Sequence, residues 1–219
     1  AMGVQLIDPQ NSRHPEELWL YATVERLARD AGLNATPEVG IYHSADMNAF
    51  ATGPTKNRSL VAVSSGLLQQ MNHNEIEGVL AHEVAHIANG DMVTMTLIQG
   101  VVNAFVMFLS RVIAYAIANY MRRSDDDDRG FSHGTYFIVS FVLEMVFMIL
   151  GVMVVAWFSR QREYRADRGG ADYAGTGKMI AALQALQTAY NRHVPQSAHP
   201  SVAALQISNK SSFLHLFST

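Results

Sequence analysis

The sequence contains no cysteine, and this absence limits the chemistry available to the protein. Without thiols, the 219-residue chain forms no disulfide, no thiolate metal site and no cysteine nucleophile. Any bound metal must therefore depend on the nine histidines and the carboxylates. Residues 1–9 also lack the basic and apolar pattern of a secretory signal peptide.

Charged residues are few as well, at 16% of the chain, and the formal net charge is -3. A nucleic-acid-binding protein needs a basic surface that follows the phosphates. Neither this net charge nor a pI near 6.3 provides such a surface. We therefore expect no nucleic-acid partner.

Charge is almost missing from two long apolar stretches. Residues 92–110 contain no charged side chain, and residues 136–158 contain only Glu144. Each stretch approaches the ~20 residues with which a helix crosses a bilayer. Two buried core helices of a soluble domain would have the same composition, but the rest of the chain is too small to cover both. We therefore expect a transmembrane helical hairpin at 92–158 and a lipid bilayer as a partner.

The turn of this hairpin is a polar stretch at 122–134 with four consecutive aspartates. An antiparallel hairpin returns to the side from which it started, so Asp91 and Ser159 must lie near each other. Arg111 and Glu144 fall at equal depth and can pair in the bilayer. The alternative is that Arg111 extends to the far interface while Glu144 faces a water-filled groove.

Outside the hairpin, the sequence predicts helices and a small sheet. Apolar residues at helical spacing indicate helices, and short β-rich pieces separated by turn residues indicate strands. A capping box of Asn74 and Glu77 starts the third helix, and Gly90 ends it. The predicted helices are 15–31, 65–71, 74–89, 161–173 and 178–190. After a loop at 191–200, one or two more helices are expected in 201–219. The predicted strands are 38–43, 48–52 and 60–63, and a loop at 53–59 joins the last two.

The pattern His82-Glu83-Val84-Ala85-His86 carries the chemistry. Two imidazoles one helical turn apart share a helix face and can reach one tetrahedral ion. Glu83 lies beside them, where a carboxylate can take the proton of a metal-bound water. The five-residue pattern alone is moderately specific, and its position on a capped helix with an apolar side strengthens the interpretation.

A catalytic zinc takes three protein ligands and keeps one open position. Because the hairpin returns the chain after residue 158, the third ligand is expected in the segment that follows. Glu163 lies there, and Asp167 follows it by one helical turn, where it can hold the tautomer of a ligating histidine. The alternative is a solvated helix in which both carboxylates pair with neighbouring arginines.

Three separated motifs resemble the HtpX family, the heat-shock-associated membrane zinc metalloproteases of bacteria, which are related to the type I CAAX prenyl proteases. The motifs are the segment 82–86 with Asn89-Gly90-Asp91, Arg-Glu-Tyr-Arg-Ala-Asp at 162–167, and Asn-Ala-Phe-Ala-Thr-Gly at 48–53. The resemblance implies a gluzincin fold, Glu163 as third zinc ligand and Asp167 as support for a ligating histidine. It also implies proteolysis facing the cytoplasm, in quality control of membrane proteins.

Family members typically begin with two further membrane helices and continue into a His-Pro-Pro stretch with a basic residue. The sequence has neither feature, so we expect it to be truncated at both ends relative to the family. A contact to the transition state from the missing tail is therefore not assigned.

Residues 48–53 are the predicted substrate-binding edge. An unpaired strand beside a zinc helix can receive an extended peptide through main-chain hydrogen bonds, which tolerates varied side chains. Asn48, Ala49, Phe50 and Ala51 are the candidate binding residues. The alternative is an ordinary hairpin strand, with Asn48 as a turn residue.

The remaining candidates receive no catalytic role. Asp91 is expected to cap a helix rather than bind the metal. Tyr164 points away from the metal because it neighbours the ligand on the helix, and it stays unassigned. Seven histidines have no partner at ligand spacing and are expected on the surface or in loops: His14, His43, His73, His133, His193, His199 and His215.

These observations predict a mostly helical α+β protein, a zincin-like metalloprotease domain with a small β-sheet and an inserted transmembrane hairpin. The expected parts are 1–91 with the sheet and the motif helix, 92–158 as the hairpin, and 159–219 with the third ligand. The expected function is that of a zinc endopeptidase with one Zn²⁺ per chain, acting on peptides and on misfolded or membrane proteins in the stress response. Resemblance and loop arginines favour the bacterial inner membrane with a cytoplasmic active site.

Two other classes of function remain open from the residues alone. A non-catalytic membrane scaffold with a structural zinc would close the fourth ligand position and would not need Glu83. A transporter or channel subunit would line a path with Arg111 and Glu144, but two membrane spans are few for that purpose.

Overall fold

The computed structural model describes residues 3–124 and 133–193, and within them it confirms a mostly helical α+β fold with a small sheet. The aspartate-rich turn at 125–128 and the helices expected in 201–219 lie outside these ranges. Of the loop expected at 191–200, only residues 191–193 are described, and they continue a helix. The elements are β1 (Gln5–Leu6), α1 (Pro15–Asp30), β2 (Glu38–Tyr42), β3 (Ala49–Thr55), β4 (Arg58–Ser64), α2 (Ser65–Gln70), α3 (His73–Asn89), α4 (Asp91–Ser124), α5 (His133–Ala174) and α6 (Thr176–His193).

The sheet is mixed, with strand order β1-β2-β4-β3. Strands β2 and β4 run parallel, whereas β1 and β3 are antiparallel to their neighbours. The two-residue β1 is not predicted from the sequence, because such a short strand has no measurable alternation. The position of β3 at the edge of the sheet leaves one side of its backbone without a strand partner.

The hairpin of β3 and β4 is tighter than predicted. Gly53 and Pro54 indicate a loop at 53–59, but β3 runs to Thr55 and β4 starts at Arg58. An irregularity in the pairing between Thr52 and Thr55 accommodates the two residues within the strand. Gly53 has φ 149°, and a Cβ there would lie 2.2 Å from the carbonyl oxygen of Arg58. Only glycine fits this point of the strand.

The start of α3 also differs from the prediction. The capping box consists of Asn72 and Glu75 rather than Asn74 and Glu77, so the cap lies two residues earlier than predicted. The Asn72 side chain accepts hydrogen bonds from the backbone N–H groups of Asn74 and Glu75, and Glu75 accepts one from the N–H of Asn72. Both pairs of residues satisfy the same sequence pattern, and Glu77 instead pairs with Arg26 of α1 and Lys178 of α6. Gly90 ends the helix in the left-handed conformation, as predicted.

Helix α3 lies at the centre of the protein, between the sheet, α1, α5 and α6. Its apolar face is fully buried with residues from α1 and the strands. Three glycines allow the neighbouring helices to approach the backbone closely. A Cβ on Gly78 would meet the Lys178 carbonyl oxygen of α6 at 2.5 Å, and Cβ atoms on Gly169 and Gly170 of α5 would meet α3 at Ala85 and His82. These contacts fix the distances between the helices that carry the candidate site.

Helices α4 and α5 pack against each other as an antiparallel hairpin, and both are long and apolar enough to cross a membrane. The apolar helical segments are Asp91–Tyr120 and Tyr136–Ala174. Gly151 provides a close contact between the two helices, because its missing side chain leaves room for Val102. The boundary expected at 158–159 falls inside α5, which continues without a break from the apolar span into the charged segment.

The predicted pairing of Arg111 with Glu144 is not found. Among the described residues no ion pair joins the two side chains, and both are exposed on the outside of the hairpin. Pairing needs both residues on the facing sides of the two helices, and equal depth alone does not determine which way a side chain points.

We expect the substitution Gly78→Ala to destabilise the fold, although alanine normally favours a helix over glycine. The added methyl would press on the backbone of α6, where no side-chain rotation relieves the overlap. Overpacking of this kind costs about 1–3 kcal/mol. Thermal unfolding in detergent should show a lower midpoint. The matched control is Gly100→Ala in α4, where a Cβ meets nothing within 4 Å. That change should leave the midpoint unchanged or raised, and equal effects of both substitutions would contradict the packing argument.

Candidate metal centre and active site

Three ligand atoms converge between α3 and α5. His82 and His86 lie one turn apart on α3, and their Nε2 atoms are 3.1 Å from each other. Glu163 of α5 places its Oε2 atom 3.4 Å from each of these nitrogens. The close approach of α5 at Gly170, described above, is what brings Glu163 to the two histidines. The predicted return of the chain through the hairpin thus delivers the expected carboxylate.

The two Nε2 atoms of His82 and His86 and the Oε2 atom of Glu163 form a triangle, and its dimensions fit a metal ion. Tetrahedral ligands at about 2.0–2.1 Å from an ion are about 3.3–3.4 Å from one another. The three observed separations, 3.1, 3.4 and 3.4 Å, therefore correspond to one face of such a tetrahedron. The group His82, His86 and Glu163 can hold a metal ion, and within residues 3–124 and 133–193 no further histidine or carboxylate joins this group.

The electrostatics of the site favour a cation. Burial lowers the pKa of His82, but the carboxylates of Asp167 and Glu163 outweigh burial and raise this pKa to about 10. Burial also opposes a charge on His86, and the contacts with Glu163 and Asp91 again raise its pKa. Surroundings that stabilise a positive charge on an imidazole also stabilise a metal ion placed between the imidazoles.

The second nitrogen of each histidine lies next to a carboxylate. His86 Nδ1 is 2.8 Å from Asp91 Oδ2, and this carboxylate is almost fully buried. His82 Nδ1 is 2.9 Å from Asp167 Oδ1, although the ring N–H is not aligned well enough for a regular hydrogen bond. A carboxylate at Nδ1 keeps the proton there and directs the lone pair of Nε2 to the metal. Asp167 lies where the sequence predicts it.

Asp91 has a different role from the one expected. The sequence predicts a helix cap, but no capping hydrogen bond from its side chain is found in this part of the structure, and its carboxylate contacts His86. The left-handed Gly90 turns the chain sharply after α3 and brings the first residue of α4 back to the histidine five positions earlier. Such a contact depends on the angle between two helices, which sequence spacing does not reveal.

Glu163 divides its two oxygens between two partners. Oε2 faces the histidines, whereas Oε1 accepts hydrogen bonds from Arg162 Nη2 at 2.7 Å and Nε at 3.2 Å. The sequence predicts a pair between a carboxylate and a neighbouring arginine only as the alternative to metal binding. In the structure the same carboxylate contacts both the arginine and the histidines.

Glu83 lies close to the metal site and to the edge strand. Burial raises the pKa of its carboxyl group, while the positive charge of His82 and His86 and the backbone N–H of Ala51 act in the opposite direction. Strand β3 packs against α3, which places the backbone of Ala51 beside the glutamate. A carboxylate between the metal position and a strand edge is in reach of a water molecule and of a bound peptide.

The register of β3 shows which backbone groups are free. Asn48 accepts a hydrogen bond from the Ser64 N–H at 2.9 Å, so alternate residues of β3 direct their backbone groups towards β4. Ala49 and Ala51 lie between these positions and direct their N–H and C=O groups away from the sheet. Of the four predicted substrate residues, these two have outward backbone groups, although the N–H of Ala51 is directed at Glu83. Asn48 has an exposed side chain, and Phe50 packs against Tyr42.

Lys56 holds the tip of the β3–β4 hairpin against α3. Its Nζ donates a hydrogen bond to the carbonyl oxygen of Ala88 in the last turn of α3. A cation at the C-terminus of a helix also interacts favourably with the helix dipole. The sequence gives no signal for this contact, because Lys56 and Ala88 are 32 residues apart.

The other histidines agree with expectation where the structure describes them. His14, His43 and His73 are exposed, and His73 stacks on Trp19 at a centroid distance of 3.9 Å and pairs with Glu16. The side chains of His133, His193, His199 and His215 lie outside the described residues. Tyr164 is exposed beside Glu163.

Comparison with known proteins places this site in a family. The model of peptidase family M48 matches residues 14–206. The protease HtpX of Glaesserella parasuis is 54% identical over 211 residues, which are 96% of this chain and 71% of the relative. The HtpX homolog of Bacillus licheniformis is 53% identical over 220 residues, covering 100% of this chain and 71% of the relative, and the HtpX of Shewanella piezotolerans is 54% identical over 218 residues, covering 99% and 73%.

Among solved structures, the crystal structure of S. mikatae Ste24p is similar, with a TM-score of 0.57 and 20% identity. It covers 86% of this chain and 44% of that one. The fold and the site together define a membrane metalloprotease, and no finding favours a non-catalytic scaffold. The chain belongs to peptidase family M48. Its closely related sequences are HtpX proteases.

We expect Asp91→Ala to weaken metal binding about 10- to 100-fold, the usual effect of removing a carboxylate that orients a ligating histidine. His86 would lose the acceptor that holds its Nδ1 proton. Competition with a chelator measures the affinity. Asp172→Ala is the control, because Asp172 is exposed on α5 and has no ion pair among the described residues. Equal affinity of the two variants would rule out a role for Asp91.

Proposed function

We propose that the protein is a zinc-dependent endopeptidase, with one Zn²⁺ held by His82, His86 and Glu163. The observation that carries the proposal is the triangle of ligand atoms with sides of 3.1, 3.4 and 3.4 Å. Two imidazoles and a carboxylate with an open fourth position form a ligand set that suits catalytic zinc. Asp91 and Asp167 orient the two histidines through their Nδ1 atoms.

Zinc in this site supplies a Lewis acid for the peptide carbonyl and lowers the pKa of a water molecule towards 7. Glu83 acts as general base, and its carboxylate takes the proton from the water that attacks the carbonyl carbon. As the C–N bond breaks, Glu83 passes this proton to the nitrogen of the leaving amine. Burial of Glu83 supports this role, because a raised pKa brings a carboxyl group closer to the range in which it both accepts and donates a proton.

The substrate binds as an extended peptide along the free edge of β3. The outward N–H and C=O groups of Ala49 and the C=O group of Ala51 pair with the peptide backbone, and the exposed side chain of Asn48 lies at the start of the same edge. Phe50 packs against Tyr42 with tilted rings and keeps the strand in place. Recognition through the backbone accepts many sequences, which suits a protease that degrades misfolded proteins.

The substrates include membrane proteins, in quality control and the stress response at the bacterial inner membrane. The support is the position of the site next to the predicted bilayer: Asp91 is the first residue of α4, and Glu163 follows Phe158 by five residues. Arg160, Arg165 and Arg168 follow the second apolar span, and positive charge at this end favours a cytoplasmic active site. The three parts 1–91, 92–158 and 159–219 then serve as motif domain, membrane anchor and carrier of the third ligand.

The substitution Glu83→Gln should abolish cleavage of a casein-type substrate while the zinc remains bound. The amide keeps the size of the side chain but cannot take up the proton, and loss of a general base costs at least ~100-fold in rate. Zinc content and turnover are measured on the same preparation. Glu25→Gln is the control, since Glu25 is exposed on α1. Full activity of the Glu83 variant would remove the proposed mechanism.

The substitution Glu163→Ala should instead remove the metal itself. Two histidines alone do not provide the three protein ligands of a catalytic zinc site. Atomic absorption of the purified protein gives the zinc content per chain. Tyr164→Ala, the next residue of the same helix, is the control for helix integrity and should keep the metal. If the Glu163 variant retained one zinc per chain, the ligand assignment would be wrong.

A further inference from the structure

Arg162 makes an unusual contact for its position. Adjacent residues of a helix point in directions about 100° apart and do not normally face each other. The Arg162 side chain nevertheless folds back along α5, so that Nη2 and Nε lie 2.7 Å and 3.2 Å from the same oxygen, Oε1 of Glu163. Arg162 is less exposed than Glu163, at 28% against 42%. The guanidinium is thus held against the site rather than extended into solvent.

The two oxygens of Glu163 are thereby distinguished. Oε1 accepts both hydrogen bonds from Arg162, and Oε2 lies at 3.4 Å from both ligating nitrogens. A carboxylate without such a partner can bind an ion through one oxygen or through both. When both oxygens bind, the second occupies coordination space that an open catalytic site needs for water or substrate.

We propose that Arg162 is a positioning residue that restricts Glu163 to one ligating oxygen and so keeps the fourth coordination position open. The inference rests on the proposed function, because it concerns the metal that the site holds. A partly exposed ion pair between neighbouring residues contributes little to stability. The ion pair acts instead by fixing the orientation of the Glu163 carboxylate.

The positive charge of Arg162 also acts on the metal site, in addition to the orientation that Arg162 gives to Glu163. Four carboxylates, those of Glu83, Asp91, Glu163 and Asp167, surround or approach the metal position. Arg162 brings a permanent positive charge to Glu163 and reduces the electron donation of this ligand. A less strongly donating carboxylate leaves the ion a stronger Lewis acid. Arginine suits this task because its charge does not titrate in the physiological range.

Cobalt substitution tests the proposal without relying on catalysis. Co²⁺ replaces zinc in such sites, and its visible absorption is several-fold stronger in four-coordinate than in five-coordinate geometry. The full chain with Co²⁺ should show the intense four-coordinate spectrum. The substitution Arg162→Gln should reduce the absorption several-fold, with one Co²⁺ still bound per chain, because Glu163 can then bind through both oxygens. The substitution Arg162→Lys keeps a cation near Oε1 and should restore most of the intensity.

The control is Arg165→Gln, three residues along the same helix. Arg165 is exposed and has no ion pair among the described residues, so its substitution should leave the spectrum unchanged. An unchanged spectrum in Arg162→Gln would overturn the role of Arg162 while leaving the metal site intact. Failure of the unmodified chain to bind Co²⁺ or Zn²⁺ would instead overturn the proposed function, and with it this inference.

Discussion

The structure depends on the close approach of α5 to α3. Gly169 and Gly170 remove the side chains that would separate the two helices at Ala85 and His82. This contact sets the 3.4 Å distances between Glu163 and the two histidines. The three residues of the proposed metal site therefore come from segments about 80 residues apart, and the apolar hairpin between them is the connection that returns the chain to the site.

Much of this arrangement follows from local patterns in the sequence. The spacing of His82 and His86 places both on one helix face, and the length of the two apolar stretches predicts the hairpin that returns Glu163 and Asp167. These inferences succeed because each rests on a periodicity or on a length that the fold must respect. The capping box of α3 shows the limit, since Asn72 with Glu75 and Asn74 with Glu77 match the same pattern and only the folded helix distinguishes them.

The contacts that sequence reasoning misses are those between elements. Asp91 approaches His86 because Gly90 reverses the chain, and Lys56 reaches Ala88 because the β3–β4 hairpin lies over the end of α3. For Arg111 and Glu144, by contrast, the sequence predicts a contact that the structure lacks between these two described residues. Equal depth along the hairpin does not place two side chains on facing sides. Orientation about a helix axis is set by packing, which one sequence does not determine.

Helix α5 runs without interruption from His133 to Ala174, so its apolar segment and the segment that carries Glu163 form one rod. A helix whose apolar part is longer or shorter than the surrounding hydrocarbon layer adapts by tilting. Because Gly169 and Gly170 hold α5 against α3, a tilt of this rod would be passed on to the helix that carries His82 and His86. A lipid layer around α5 would therefore be coupled mechanically, through its thickness, to the position of α3 in the core.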